Sequence, residues 1–236
     1  MQYWLVMPAA GAGRRFGGAK QFASLGQRTV LELALQPFAA DAQCLGGSIA
    51  LSPDEPRRAQ LAARVPSRFG LVAGGATRAL SVVSGLAALA GRAGPEDWVL
   101  VHDAARPCLS GADLARLLGS AGASAHGGLL ATPVADTVKQ ALVAGPGEPT
   151  RCAGTLARDS LWLAQTPQMF RYGPLRTALE QAHALGRSPT DEAQAMEWQG
   201  EAVLLVEARD ANIKVTSAAD LLLAQAILHA REARST

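Results

Sequence analysis

The chain has 236 residues, 49% of them hydrophobic and 18% charged, a composition that fits a soluble globular protein with a substantial core. A net charge of +2 argues against a strongly basic nucleic-acid coat protein, so any positive potential must be local. Cys44, Cys108 and Cys152 form no C-x-x-C pair, and no apolar run approaches the roughly 20 residues of a membrane span. With no basic segment before the apolar start, we expect a cytoplasmic protein that binds neither nucleic acid nor membrane.

The first predicted element is a buried strand, a short apolar run from Tyr3 to Met7. In the loop that follows, Ala9 to Gly18, most side chains are small, so backbone N–H groups can approach an anion. Arg14 and Arg15 can reach over that anion, and Lys20 follows shortly after. This combination predicts a site for a polyphosphate.

Two familiar phosphate loops fit this segment poorly. The dinucleotide fingerprint G-x-G-x-x-G begins at Gly11 and Gly13 but has Phe16 in place of its third glycine. The P-loop spacing fits Gly13 and Gly18, but Ala19 stands where the lysine belongs. The plain alternative is a surface loop with solvated charges, although small, basic loops after buried strands usually bind a ligand.

Short apolar runs and helical patterns then alternate along the chain. Thr29 and Glu32 form a capping-box pattern that begins the first predicted helix. The next predicted elements are a strand at 48–51, a helix from 54 or 55 to 64, a strand at 70–73, a helix at 77–90 and a strand at 98–101. This alternation predicts an α/β fold whose mostly parallel twisted sheet is flanked by helices and binds ligands outside the carboxyl ends of its strands.

Three loops should therefore open on one edge of the sheet. They are Pro8 to Lys20, Gly74 to Arg78 and His102 to Pro107. In the third loop, Asp103 could ligate Mg²⁺ or hold a sugar hydroxyl and Arg106 could bind a second phosphate, with a structural Asp–Arg turn as the alternative. His102 has no second histidine nearby, which favours a hydrogen-bonded core residue over a metal ligand.

The alternation breaks after a strand predicted at Gly127 to Pro133. Val134 to Val143 and Arg151 to Leu156 are predicted to pair across the turn at residues 145–147, forming a protruding β-arm at about 134–160. So long a hairpin cannot bury itself against one small sheet, and pairing with a second copy of the chain would resolve this. The remaining predicted elements are helices at 174–185 and 191–198, a strand at 202–206 and a helix at 217–230.

Seven segments, in this order and approximate spacing, resemble the 2-C-methyl-D-erythritol 4-phosphate cytidylyltransferase family. They are PAAGAGRRFGGAKQF, GGATRALSV, VHDAARP, ATPVADTVK, LARDSLWLAQTPQMF, TDE and NIKVT. The resemblance implies a single Rossmann-like nucleotidyltransferase domain over residues 1–236, a homodimer joined by the β-arm, and Mg²⁺. It also implies condensation of CTP with 2-C-methyl-D-erythritol 4-phosphate to 4-diphosphocytidyl-2-C-methyl-D-erythritol and pyrophosphate, in the non-mevalonate isoprenoid pathway.

The same resemblance implies a role for each matching position. The nucleotide-binding positions would be Ala9, Ala10, Gly11, Gly13, Gly75, Ser81, Asp103 and Ala104. The catalytic residues would be Arg15, Lys20, Arg158 and Lys214, of which Arg15 and Lys20 would stabilise the transition state. The acceptor-binding residues would be Asp103, Arg106, Thr137, Arg158, Thr166 and Lys214. Ala76 stands where the family often has an aspartate, which puts one nucleotide contact in question.

Three other functions remain as alternatives. The acceptor could be another polyol phosphate such as ribitol 5-phosphate, because a fold and its machinery do not fix the acceptor pocket. A nicotinamide oxidoreductase is disfavoured by Phe16 and by the lack of a clear ribose-binding acid after the second strand. A non-catalytic nucleotide-binding protein is disfavoured because Arg15, Lys20, Asp103 and Lys214 are all present.

Overall fold

Seven strands form one mostly parallel sheet at the centre of the protein, as a computed structural model shows for residues 1–13, 16–143, 145 and 147–235. The strands, in chain order, are β1 Tyr3–Ala9, β2 Ser24–Leu25, β3 Arg28–Thr29, β4 Cys44–Leu51, β5 Phe69–Ala73, β6 Trp98–Val101, β7 Gly128–Pro133, β8 Val138–Ala141, β9 Cys152–Leu156, β10 Trp162–Arg171 and β11 Leu204–Glu207. The central sheet has the order β11-β7-β10-β6-β1-β4-β5. β10 is antiparallel to both of its neighbours and the other pairs are parallel. The predicted mostly parallel sheet is confirmed.

Helices cover both faces of this sheet. They are α1 Val30–Ala40, α2 Arg58–Ala62, α3 Arg78–Ala87, α4 Gly111–Ala121, α5 Tyr172–Ala184, α6 Glu192–Glu197 and α7 Ala218–Ser235. The predicted capping box begins α1, because the Thr29 hydroxyl accepts the Glu32 N–H and the Glu32 carboxylate accepts the Thr29 N–H. No helix in the described part of the chain combines the length and the apolar character that a transmembrane span requires.

The β1 strand lies at the centre of the core and is buried on both faces. Tyr3, Leu5 and Met7 belong to the apolar cluster that α1 and α4 cover, whereas Trp4 and Val6 belong to the cluster under α3 and α5. Side chains of a strand alternate between its faces, so a strand covered on both sides needs apolar residues at successive positions. This explains the unbroken apolar run at the start of the chain and fixes where the following loop emerges.

Two elements of the sheet and its helices were not predicted. Helix α4 begins after Ser110, whose hydroxyl accepts the Asp113 N–H, and it buries Leu114 and Leu117. Its sequence contains three Gly residues in or next to the helix, which weaken the helical pattern.

Strand β10 contains Pro167, a residue that argues against a central strand, and its pairing shifts register between Ala164 and Gln168. Another predicted helix is shorter than expected. It was predicted from residue 54 or 55 to residue 64, and the structure has only α2, Arg58–Ala62.

The β-arm is present as a hairpin outside the central sheet. β8 and β9 pair antiparallel, with Val138 opposite Leu156, so the paired region is shorter than predicted. Below the arm, β7 and β10 pair with Pro133 opposite Trp162. Thus the arm is the long connection of a β7–β10 hairpin. Pro146, in the predicted turn, lies outside the described residues.

Candidate active site

One cleft of about 710 Å³ lies at the carboxyl ends of β1, β5 and β6, where the three predicted loops meet. Every position expected to bind the nucleotide lines it: Ala9, Ala10, Gly11, Gly13, Gly75, Ser81, Asp103 and Ala104. Lys20 and Lys214 line the same cleft. Arg15 lies outside the described residues. The cleft therefore combines a glycine-rich loop with two lysines, a combination suited to a polyanion.

The first loop of the cleft needs glycine and is held by a buried glutamine. Gly13 has a φ of 63°, and a Cβ built on it would lie 1.8 Å from the Gly18 carbonyl oxygen. The buried Gln21 side chain donates from Nε2 to the carbonyl oxygens of Ala9, at 2.7 Å, and Gly11, at 3.1 Å. Because Gln21 follows Lys20 directly, these bonds fix the lysine's backbone relative to the loop. No local sequence pattern distinguishes this glutamine from other polar residues.

The second loop approaches the first closely. A Cβ on Gly74 would lie 2.7 Å from the Ala10 Cβ, so this crossing of the two loops requires glycine. The Gly75 N–H donates to Ser81 Oγ at 3.2 Å, and the Ser81 hydroxyl in turn lies 2.9 Å from the Thr77 carbonyl oxygen. Ser81 thereby ties the glycine turn to the first turn of α3.

The third loop places Asp103 among cations. Its Oδ1 accepts the Arg78 Nε–H at 2.9 Å, and its Oδ2 lies 2.7 Å from the Lys214 ammonium nitrogen. The backbone N–H of Asp103 donates to Thr166 Oγ1 at 3.0 Å. Burial alone would raise the pKa of the Asp103 carboxyl, but Arg78 and Lys214 hold that pKa well below its usual range. Asp103 is therefore an ionised anchor that holds Lys214 in the cleft.

Arg78 links this anchor to Glu192 on a different part of the chain. Its Nη1 and Nη2 donate to the two Glu192 carboxylate oxygens at 2.8 and 3.0 Å. Burial tends to lower the pKa of the Arg78 guanidinium, but Glu192 and Asp103 together raise it above its usual value. Local patterns could not reveal this pair, because 114 positions separate the two residues in sequence. In the sequence, Glu192 stands out only as the last residue of the TDE segment of the family resemblance.

His102 is a core residue, as predicted. The side chain is fully buried, with Nε2 3.2 Å from the Arg106 carbonyl oxygen and Nδ1 3.0 Å from Thr166 Oγ1. Burial lowers the pKa of His102 to about 4, so the imidazole is neutral at physiological pH. Its two ring nitrogens are occupied in fixing the third loop against β10.

The described residues do not form a metal site of their own. No group of three or more His, Cys, Asp or Glu side chains in the described part of the chain is arranged to hold an ion. Asp103 is the candidate Mg²⁺ ligand in the sequence. Its two carboxylate oxygens face Arg78 and Lys214. A carboxylate paired with two cations does not fit a ligand of Mg²⁺.

Comparison with known proteins agrees with the sequence resemblance. The IspD family model, described as 2-C-methyl-D-erythritol 4-phosphate cytidylyltransferase, matches residues 3–230. A relative of that name from Halorhodospira halophila is 46% identical, over 98% of this chain and 96% of the relative. The Francisella tularensis crystal structure of that name has a TM-score of 0.81 at 32% identity, covering 96% of this chain and all of the other. A solved 4-diphosphocytidyl-2C-methyl-D-erythritol synthase has a TM-score of 0.82 at 37% identity, over 96% and 98% of the two chains.

The chain belongs to the 2-C-methyl-D-erythritol 4-phosphate cytidylyltransferase family. It is therefore an enzyme of the nucleotidyltransferase class. The region that the family model matches includes both the cleft and the arm, because it extends from the first strand into the last helix.

Two residues expected at the acceptor are packed beside the cleft and do not line it. The side chain of Arg106 is largely buried, and its Nη1 donates to the Asn212 carbonyl oxygen at 2.7 Å. Thr166 is also buried, and its hydroxyl oxygen accepts the Asp103 N–H. In this structure both residues support the loops that carry Asp103 and Lys214.

Thr137 and Arg158 lie at the base of the arm and do not reach the cleft of their own chain. Both are exposed, and the Arg158 guanidinium donates to the Ala135 carbonyl oxygen. The bond from Arg158 ties the segment that follows β9 to the segment that precedes β8.

A larger groove, of about 1460 Å³, lies between α1, α4 and α7. Its described lining includes apolar residues such as Leu33 and Leu114 with a mixed polar rim, and it contains neither Lys20 nor Asp103. Volume alone would point to this groove, but the converging loops and clustered charges of the smaller cleft make the cleft the candidate active site.

Proposed function

We propose that this enzyme condenses CTP with 2-C-methyl-D-erythritol 4-phosphate, forming 4-diphosphocytidyl-2-C-methyl-D-erythritol and pyrophosphate for isoprenoid biosynthesis. The family match over residues 3–230 supports both the reaction and its substrates. The structural observation that carries the proposal is a single cleft lined by the glycine loop and by Lys20 and Lys214. The same comparisons do not favour ribitol 5-phosphate as the acceptor.

The reaction needs charge neutralisation more than proton transfer. A phosphate monoester has a second pKa near 6, so the acceptor is largely dianionic at neutral pH and requires no general base. One of its oxygens forms a bond to the α-phosphorus of CTP, and the bond from that phosphorus to the bridging oxygen of the β-phosphate breaks, releasing pyrophosphate. Lys20 would offset the charge gathering on the α-phosphate and the leaving group. Lys214, held by Asp103, would orient the acceptor phosphate.

Magnesium would enter this reaction as part of the nucleotide substrate. The described residues offer no cluster of acidic ligands, and the carboxylate oxygens of Asp103 are paired with cations. Triphosphate oxygens and water are sufficient ligands for Mg²⁺, which retains several waters in most nucleotide sites. The protein would therefore bind the Mg²⁺–CTP complex through the phosphates.

We further propose that the enzyme acts as a homodimer joined by its β-arm. Several large apolar side chains of the arm and its base are exposed in one chain: Leu142, Val143, Leu156, Trp162 and Leu163. Exposed apolar side chains on an unpaired hairpin favour contact with another protein surface. A second copy would cover them and bring Thr137 and Arg158 towards a neighbouring cleft.

Mixed dimers test the assignment of Arg158 to the partner's site. We expect Arg158→Ala and Lys20→Ala homodimers each to have little activity. Hybrids of the two variants should regain up to half of the wild-type activity per dimer. In such a hybrid, one cleft combines an intact Lys20 with an intact Arg158 from the other chain. The hybrids are purified with two affinity tags and assayed for pyrophosphate release. Verified hybrids without activity would show that each site is built from one chain.

A panel of substrates tests the proposed reaction. Pyrophosphate release is measured with each nucleoside triphosphate against 2-C-methyl-D-erythritol 4-phosphate, ribitol 5-phosphate and a sugar 1-phosphate. We expect the highest kcat/KM for CTP with methylerythritol phosphate. Preference for another acceptor, or comparable rates with several triphosphates, would contradict the proposal.

A further inference from the structure

Four side chains of alternating charge are joined in a chain, and three of them line the cleft. They are Glu192, Arg78, Asp103 and Lys214, joined by contacts of 2.7 to 3.0 Å. Glu192, at one end, has only 1% of its side chain exposed, whereas Lys214, at the other end, has 40% exposed and lines the cleft. We propose that Glu192 is a positioning residue for the transfer reaction, acting through Arg78 to set Asp103 and Lys214. This inference rests on the proposed function.

The geometry of Arg78 makes such an action possible. A guanidinium is planar and rigid, so a bidentate pair on its two Nη groups also fixes the direction of its Nε–H. In Arg78 that Nε–H points to Asp103 Oδ1 at 2.9 Å. The other oxygen of the same carboxylate holds Lys214. The orientation of Glu192 is thus passed through two rigid, planar groups to an ammonium in the cleft.

The position of Glu192 is itself set by the central sheet. Glu192 is the first residue of α6, where Asp191 caps the helix by accepting the Gln194 N–H. Gln168 of β10 donates to the Asp191 carboxylate at 3.0 Å and accepts the Ala193 N–H at 2.8 Å. These bonds on either side of Glu192 fix its backbone to β10. Glu192 therefore takes its position from the central sheet.

Stability alone is a poor explanation for this buried pair. The cost of desolvating two buried charges commonly cancels their attraction, and apolar replacements of similar volume often fold as stably. Without Glu192, the charge of Arg78 would be balanced by Asp103 alone, and Arg78 would compete with Lys214 for that carboxylate. Lys214 would lose its fixed position while the glycine loops of the cleft stay in place.

Steady-state kinetics of Glu192→Gln test the inference. The amide keeps the size of the side chain but removes its charge and turns an N–H₂ group towards Arg78. We expect kcat/KM for the acceptor to fall roughly 10- to 100-fold, as for residues that orient groups in direct contact with the reacting centre. The loss should appear as a lower kcat and a higher KM for the acceptor, with the KM for CTP changed less than about threefold. Equal shifts in the two KM values, or an unchanged kcat/KM, would overturn the inference.

Two further variants separate positioning from folding. Leu179→Ala removes a buried side chain of α5, beside α6, without touching the four charges, and should lower Tm while leaving kcat/KM near the wild-type value. The double variant Arg78→Met with Glu192→Leu removes the buried pair together with one cation of Asp103, and it should remain poorly active whatever its Tm. Recovery of activity together with Tm would show a purely structural role. A wild-type enzyme that releases no pyrophosphate would instead overturn the proposed function, and this inference with it.

Discussion

Replacing Lys20 with alanine is expected to lower kcat by about 10²-fold or more, the loss typical of one transition-state donor in a preorganised site. Lys20 lines the cleft and begins a 3-10 turn whose next residue, Gln21, is bonded to the glycine loop. This attachment holds the lysine's backbone before substrate arrives. Negative charge on the α-phosphate and pyrophosphate increases as the bond breaks, so the loss should fall mainly on kcat. Pyrophosphate release at saturating CTP and acceptor measures it.

Arg176→Ala is the control for this prediction. It removes a cationic side chain from the exposed face of α5, where Arg176 Nε donates to Glu180 Oε1 at 2.7 Å. We expect kcat to stay close to the wild-type value in this variant. A Lys20→Ala enzyme that turns over at a near-normal rate with saturating substrates would refute the assigned role.

Asp103→Asn is expected to reduce both stability and activity. The carboxylate is buried, and its negative charge is paired with the positive charges of Arg78 and Lys214. A third cation, Arg106, has its Nε 3.8 Å from Asp103 Oδ2. Removing one partner of a buried ion pair costs about 3–5 kcal/mol, because the remaining charges lose their compensation. Urea denaturation at pH 7 measures the free energy of unfolding, and pyrophosphate release measures the loss of activity. Asp54→Asn, at an exposed position, is the control and should change neither quantity.

The stability difference between wild type and Asp103→Asn should depend on pH. In the folded protein the pKa of Asp103 lies well below 3.8, its usual value, so folding favours the ionised form. That contribution is complete above about pH 4 and is lost progressively as the pH falls further. We therefore expect a constant difference from pH 7 to 5 that narrows between about pH 4 and 2. A difference that is the same at pH 7 and at pH 2 would contradict the ionised, cation-paired state of Asp103.

The sequence was sufficient to predict the part of the cleft that depends on local patterns. A buried strand, a run of small residues and the rule for the carboxyl ends of parallel strands placed three loops together, and the structure confirms that Lys20, Asp103 and Gly75 line one cleft. These features are encoded within a few neighbouring residues. The specific reaction depended on the family resemblance, because several chemistries can use such loops.

Long-range contacts explain what the sequence did not reveal. Arg78 and Glu192 meet across 114 positions, and Gln21 resembles any other polar residue until its two carbonyl partners are known. Strand β10 was missed because its pattern contains a proline, yet hydrogen bonding on both sides holds it between β6 and β7. Tertiary context overrides a local preference in such a strand.

The arm extends from β7 and β10, which are antiparallel neighbours in the central sheet. Residues can be added or deleted in matched pairs beyond the Pro133–Trp162 pairing without shifting the register of β7 or β10 in the central sheet. The arm can thus diverge in length and composition while the cleft keeps its geometry, so the two parts can change independently within one continuous chain.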